Sequence, residues 1–286
     1  MTETLLRAPA ELFDAYVFDM DGTIYLGDHL LPGAARLVHE LRRREIPVRF
    51  LSNNPTKDPA MYAEKLERLG LPTPVGDIAN TIVTTVTWLR RHHPDAVLYP
   101  IAEEPLINAL VEAGFRLSED PAKIDIVIAS YDRGFDYRKL QIAFDALWFH
   151  RGAFLVQTNP DRFCPFPGGR GEPDCAAITA AIEACSGVKC RISFGKPDPI
   201  MLEAVMSTLD CPVERAVMVG DRLQTDIAMA LDTGMAAAAV LTGETTVEEI
   251  AAQPEGRVPD LVLDRIDRLI PAHLWDELGW AESDPS

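Results

Sequence analysis

Short apolar runs alternate with amphipathic stretches along most of this chain. Tyr16-Val17-Phe18 is followed by apolar positions at helical spacing over 32–44. Val48-Arg49-Phe50-Leu51 is followed by a second such stretch over 60–69, closed by Gly70. Ala216-Val217-Met218-Val219 leads to a helix near 226–232 that stops at Gly234, and 236–241 and 261–263 read as two further strands. This alternation predicts a parallel sheet covered by helices on both faces. Between the second and third strands lies a long interval with its own alternation: strands at 97–99, 124–129 and 154–156, and helices at 105–113, 137–151 and 174–185. It is long enough to bury its own core, which predicts an inserted domain over 85–190 within a discontinuous one made of 1–84 and 191–286.

Composition narrows the class. With 286 residues, 47% hydrophobic and 25% charged, the chain can fill one large core or two ordinary ones. No stretch approaches the roughly 20 apolar residues that span a bilayer. Residues 1–10 hold no sustained apolar run, so no signal peptide is expected. A formal net charge of -17 argues against nucleic acid or an anionic membrane as partner, since both require a basic face. An anionic substrate stays possible, because a bound cation can reverse the field inside a cleft. Five scattered cysteines, Cys164, Cys175, Cys185, Cys190 and Cys211, form no C-x-x-C pair; free thiols in a cytoplasmic setting are expected.

The candidate chemistry gathers at strand ends. Asp19-Met20-Asp21-Gly22-Thr23 closes the first strand. Residues two apart in extended chain share a face, so Asp19 and Asp21 project together while Met20 turns toward the core. Two carboxylates so close repel each other, and a hard dication is the simplest way to keep at least one of them ionised; the alternative is a turn with a capping carboxylate. Gly22 permits a sharp exit. Ser52-Asn53-Asn54 follows the second strand, where a hydroxyl, an amide and backbone N–H groups suit phosphate oxygens, although the same residues populate ordinary turns. Lys196, in Gly195-Lys196-Pro197-Asp198-Pro199, offers a compact positive charge or is a solvated loop lysine. Gly220-Asp221 supplies another strand-end carboxylate, and Asp226, at a helix start, is either a ligand or a helix cap. Asp19, Ser52 and Asp221 fall at the C-terminal ends of predicted parallel strands, the edge of an open α/β sheet where ligands bind.

Taken in order, Asp19-Met20-Asp21-Gly22-Thr23, Ser52-Asn53, Gly195-Lys196-Pro197 and Gly220-Asp221 to Asp226 resemble the haloacid dehalogenase superfamily of phosphohydrolases. The insertion between Ser52 and Lys196, with Tyr131-Asp132-Arg133-Gly134-Phe135-Asp136-Tyr137 and Thr158-Asn159-Pro160-Asp161, resembles the NagD-like and p-nitrophenylphosphatase-like branch. One departure is Glu172-Pro173-Asp174-Cys175-Ala176, where that branch carries a Pro-Gly-rich turn. The resemblance implies an α/β fold: a Rossmann-like doubly wound parallel sheet core with an inserted α/β cap domain. It implies a cytoplasmic Mg²⁺-dependent phosphomonoester hydrolase acting on a small phosphorylated metabolite such as a sugar phosphate. Asp19 is then the nucleophile that becomes an aspartyl phosphate, and Asp21 the general acid and base. Asp19, the backbone carbonyl of Asp21, and Asp221 hold the metal with support from Asp226. Gly22, Ser52, Asn53, Asn54 and Lys196 surround the phosphate. The cap is expected to close over the site, with Asp132, Arg133, Asn159, Asp161 and Arg162 as candidate substrate contacts and a second copy of the chain joined through it.

Other features read as bland or as rivals. Pro167-Gly168-Gly169-Arg170-Gly171 lacks the Gly-Lys-Ser/Thr ending of a phosphate loop and is expected to be a flexible cap loop. Phe144, Trp148 and Phe149 are expected to pack in the core, while His92, His93 and His150 are expected at the surface. The tail after Trp280 is expected to fray. A dehalogenase proper needs no second carboxylate where Asp21 stands. A phosphonatase would need a cap lysine such as Lys123, Lys139 or Lys189, and a mutase would place a helical cap between Asp21 and Ser52. A non-catalytic ligand-binding protein of the same fold would show decay at one of the motif positions.

Overall fold

A computed structural model describes residues 6–166 and 170–281. The chain divides into two compact units. The first comprises Met1–Ser52, Tyr62–Ile78 and Leu202–Ser286; the second comprises Asn53–Met61 and Ala79–Met201, a broader span than 85–190.

The first unit is built on a six-stranded sheet in the order Leu261–Leu263, Ala236–Val240, Ala216–Gly220, Ala15–Asp19, Val48–Ser52, Ile78–Asn80. The neighbouring pairs among the first five strands are parallel. The central strand Ala15–Asp19 is uniformly apolar because both of its faces are covered: Ala15, Tyr16, Val17 and Phe18 are all fully buried. Tyr16 stacks on Phe18, and Phe18 packs at a tilt against Phe50 of the neighbouring strand, with centroids 6.0 Å apart in both pairs. Helix Ala34–Arg43 covers this core with Ala34, Leu37, Val38 and Leu41, the spacing of a single helical face.

The winding of this sheet places the site. From Ala15–Asp19 the chain steps to Val48–Ser52 and on to one edge; it returns on the other side at Ala216–Gly220 and steps outward to the opposite edge. The direction of winding therefore reverses between Ala15–Asp19 and Ala216–Gly220. Loops part at such a switch point and leave a crevice at the C-terminal ends of the strands. The register Phe18↔Val219 and Asp19↔Leu51 brings Asp19, Ser52 and Gly220 to that one edge.

The second unit has its own five-stranded sheet, ordered Ile192–Ser193, Phe154–Gln157, Ile126–Ala129, Val97–Ile101, Arg116–Leu117, with every neighbouring pair parallel. Two apolar clusters pack on it, one around Leu155, Ile178 and Ile182, the other around Leu106, Leu110 and Phe194. The protein is thus an α/β fold, a doubly wound parallel core carrying an inserted α/β cap.

Three expectations change. The helix expected over 137–151 is α-helical only through Tyr137–Phe144; it widens into a π-helical turn over Asp145–Phe149, where the His150 N–H donates to the Asp145 carbonyl at 2.9 Å. The wider turn rotates the succeeding side chains, so Ala146 and Leu147 are buried while Trp148 and Phe149 are 48% and 67% exposed. Phe144 stacks on Trp148 at 5.2 Å, but the aromatic trio is not core. Arg170 and Gly171, expected in a flexible loop, lie in strand Arg170–Pro173, paired antiparallel with Phe163–Phe166; Pro167, Gly168 and Gly169 fall outside the described residues, as do residues 282–286 of the tail. Helix Thr81–His92, which no element expected from the sequence covers, is capped by Asn80, which accepts from the Val83 N–H at 3.2 Å. Among the described residues no helix is long and apolar enough to cross a membrane.

Candidate active site

The first unit carries a carboxylate cluster. Asp19 is the last residue of its strand, Asp221 immediately follows Ala216–Gly220, and Asp226 lies on the π-helical turn Leu223–Ile227. One carboxylate oxygen from each lies within 4.8 Å of the others. Asp221 and Asp226 are 2% and 1% exposed. Three carboxylates held this closely, two of them removed from water, repel strongly unless a cation joins them.

The surrounding backbone is cut to fit. Gly22 adopts φ 83°, and a Cβ there would meet Asp221 Oδ2 at 2.5 Å. Side chains at Gly243 and Gly220 would overlap Asp221 and Asp226 respectively. The Glu244 N–H donates to Asp221 Oδ2 at 2.8 Å, and the Arg222 N–H to Asp226 Oδ2 at 3.2 Å. Asp226 is therefore part of the cluster rather than the cap of a following helix. The buried Thr23 hydroxyl has no hydrogen-bond partner among the described residues. An all-oxygen donor set in a pocket of bare glycines suits a hard divalent cation such as Mg²⁺.

Asp21 is exposed and is not one of the three clustered side chains, whereas Met20 is buried, as the alternation of the strand requires. The loop 19–25 closes on itself: the Gly22 N–H donates to the Tyr25 carbonyl at 2.8 Å, and the Ile24 N–H to the Met20 carbonyl at 2.8 Å. Thr242 Oγ1 donates to the Gly22 carbonyl at 2.7 Å. Burial, reinforced by Tyr62, Asp21 and Asp19, pushes the Tyr25 phenol far above its usual range. The Lys65 ammonium sits 3.6 Å from the centre of the Tyr25 ring, balancing part of this negative field. Ser52 Oγ is hydrogen-bonded to the Tyr62 hydroxyl at 3.0 Å. Tyr62, Lys65, Thr242 and Gly243 carry no motif. Gly243 alone had a signal, as a glycine just past a strand ending at the same sheet edge.

In the second unit, the side chain of Asn53 is engaged with Lys196. Asn53 Nδ2 donates to the Lys196 carbonyl at 3.0 Å, and the Lys196 N–H donates to Asn53 Oδ1 at 2.8 Å. The second Nδ2 hydrogen goes to Asp161 Oδ2 at 3.0 Å. This uses the amide that sequence reasoning offered to phosphate oxygens. Asn54 Oδ1 accepts from the Thr56 N–H at 2.8 Å and from Thr56 Oγ1 at 2.7 Å, closing an Asx turn. Lys196 is 3% exposed, and a cis peptide links it to Pro197. Gly195 must be glycine, since a Cβ there would meet Asn53 Oδ1 at 2.8 Å and the Thr158 carbonyl at 2.9 Å.

Of the remaining cap candidates, Asn159, Arg133 and Asp132 have protein partners. Asn159 is fully buried and donates to Asp161 Oδ2 at 2.9 Å and to Asp174 Oδ1 at 3.1 Å. Asp174, in the stretch that departs from the family pattern, caps helix Cys175–Ser186. Arg133 pairs with Glu103 and Glu172, both at 2.8 Å, and lies 4.7 Å from the Tyr131 ring centre. Asp132 pairs with Lys139. Lys123 and Lys189 pair with Asp120 at 2.9 Å and Glu183 at 2.7 Å. Arg162 is exposed.

Residues 16–116 match the family described as haloacid dehalogenase-like hydrolase, and residues 193–269 match a second, HAD-hydrolase-like family. An acid sugar phosphatase of Staphylococcus epidermidis is 32% identical over 242 residues, covering 84% of this chain and 91% of that protein. The structure of a 4-nitrophenylphosphatase from Thermotoga maritima superposes with a TM-score of 0.84 at 30% identity, covering 90% of this chain and 96% of that one. NagD from E. coli K-12 gives 0.80 at 27% identity, covering 90% and 98%. With the ordered motifs and the carboxylate cluster at the sheet's switch point, these matches identify the chain as a member of the haloacid dehalogenase-like hydrolases, in the NagD-like and p-nitrophenylphosphatase-like branch.

Proposed function

We propose that this protein is a Mg²⁺-dependent phosphomonoester hydrolase that works through an aspartyl phosphate on Asp19 and takes a small phosphorylated metabolite, a sugar phosphate being the first class to test. The observation that carries the reading is the approach of Asp19, Asp221 and Asp226 to within 4.8 Å at the strand ends.

Asp19 attacks phosphorus and is esterified, splitting hydrolysis into two displacements. Asp21, exposed and outside the cluster, protonates the leaving alkoxide. It then takes a proton from the water that hydrolyses the acyl phosphate. Asp19, Asp221 and Asp226, with the Asp21 carbonyl, are the groups that would hold Mg²⁺. When bound, the ion neutralises charge between the nucleophile and the phosphoryl oxygens. Ser52 and Lys196 bind the equatorial oxygens, where positioning and charge supply most of the catalysis. Gly22 leaves room for the close approach, and the cap excludes water and selects the organic group. A second copy joined through the cap remains part of this reading.

Release of phosphate from p-nitrophenyl phosphate tests it. Turnover should require Mg²⁺ and vanish in Asp19→Asn; turnover retained in that variant would end the reading. A phosphonatase reading finds no support, since Lys123, Lys139 and Lys189 are each ion-paired. The ligand-binding alternative predicts decay at a motif position, and all the motif residues are present.

A further inference from the structure

Asn53 and Asp161 were candidates for touching substrate, but their hydrogen bonds run elsewhere. The Asn53 amide meets the backbone of Lys196 edge to edge, one bond to its C=O and one from its N–H at 3.0 and 2.8 Å, as one strand meets the next. Asp161 Oδ2 accepts both from Asn53 Nδ2 at 3.0 Å and from Asn159 Nδ2 at 2.9 Å. Asn159 is buried and continues to Asp174 at 3.1 Å, whose carboxylate caps helix Cys175–Ser186. A bidentate pair between an amide and the N–H and C=O of one residue fixes both the position and the orientation of that residue's backbone. The residue held here is Lys196.

We infer that Asn53 and Asp161 are positioning residues: together with the buried Asn159 they form a part-buried amide–carboxylate chain that sets the Lys196 backbone and hence the direction of its ammonium group. This rests on the assignment of Lys196 to phosphate. The chain reaches from a helix of the cap's own core to that lysine through hydrogen bonds alone. A displacement of Asp161 or Asn159 is thereby transmitted to the phosphate-binding charge rather than to the leaving group.

The two roles for Asp161 differ in what they make sensitive. A leaving-group contact would give losses that vary with the substrate's organic part, and would need the carboxylate charge. A positioning role gives one common loss for all substrates. It also weakens inorganic phosphate as an inhibitor, and needs only an oxygen acceptor where Asp161 Oδ2 stands, which Asn can supply.

The test uses the Mg²⁺-loaded full chain with Asn53→Ala, Asp161→Ala, Asp161→Asn and Lys196→Ala. Each is assayed on p-nitrophenyl phosphate and on glucose 6-phosphate, with inorganic phosphate as competitive inhibitor and a melting curve as a check on folding. Expected are a rise of roughly 3- to 10-fold in the phosphate inhibition constant for Asn53→Ala and Asp161→Ala, and the same fractional loss of kcat/KM on both substrates. Asp161→Asn should stay within about twofold of the parent. If Asn53→Ala does not fold, the Asp161 pair carries the test. Losses that differ between substrates, with phosphate inhibition unchanged and Asp161→Asn as impaired as Asp161→Ala, would overturn the inference and leave the role of Lys196 standing. Unchanged phosphate inhibition in Lys196→Ala would remove the assignment of Lys196 and the inference with it.

Discussion

Asp221 packs against the bare Cα of Gly22, so closely that a methyl group there would sit 2.5 Å from the carboxylate. Gly22 also holds φ at 83°, a conformation that costs an L-residue about 1–2 kcal/mol. Gly22→Ala therefore meets two penalties at once and displaces a carboxylate of the cluster. We expect a fall in kcat of roughly 10²-fold or more with the fold retained, because misplacement on the order of 1 Å has that effect. Steady-state kinetics and a melting curve on the same preparation check it.

Asp19 and Asp21 should separate by severity. Asp19→Asn removes the nucleophile and should leave no measurable turnover. Asp21→Asn removes general acid–base help, a loss of roughly 10²–10⁴-fold, or about 3–5 kcal/mol in the barrier. Single-turnover rates with p-nitrophenyl phosphate, whose leaving group needs little protonation, should show a smaller Asp21→Asn deficit than those with an alkyl phosphate.

The carboxylate cluster predicts a metal-dependent stability. Mg²⁺ at about 100 times its Kd should stabilise the parent by about 2.7 kcal/mol, and EDTA should reverse the gain. Asp221→Asn lowers the mutual repulsion and the affinity together, so its melting temperature should respond far less to Mg²⁺. Melting curves across a Mg²⁺ titration measure both.

Glu40, on the helix covering the sheet, is held below the usual carboxylate range by its hydrogen bond to Arg43, with a further one from Arg44. A depressed carboxyl contributes stability above its unfolded-state value and loses it as pH falls through the folded one. Glu40→Gln should thus lower the melting temperature at pH 7, and the gap from the parent should begin to narrow once pH falls below the ordinary Glu value of about 4.3. Thermal unfolding at stepped pH tests the sign.

Much of this was legible in the sequence because its signals are local. A run of β-formers ending in Asp-x-Asp-Gly locates both the central strand and the edge where Asp19 emerges, and Gly220-Asp221 repeats that logic. What stayed hidden is long-range or depends on crowding. Nothing near Asn53 indicates that its amide pairs with a peptide 143 residues away. The role of Gly243 appears only when Asp221 fills the space a side chain would take. Phe144, Trp148 and Phe149 misled because periodicity assumes α-helical rotation, and the π-helical turn breaks it.

Trapping the covalent species is the most direct measurement. Enzyme mixed with p-nitrophenyl phosphate and Mg²⁺ is quenched in acid, reduced with borohydride and digested, and the peptide containing Asp19 is read by mass spectrometry. The account predicts that Asp19, and no other carboxylate, is reduced in proportion to the acyl phosphate present during turnover. Steady turnover with Asp19 unmodified, or with the reduction at Asp21 or Asp221, would contradict it.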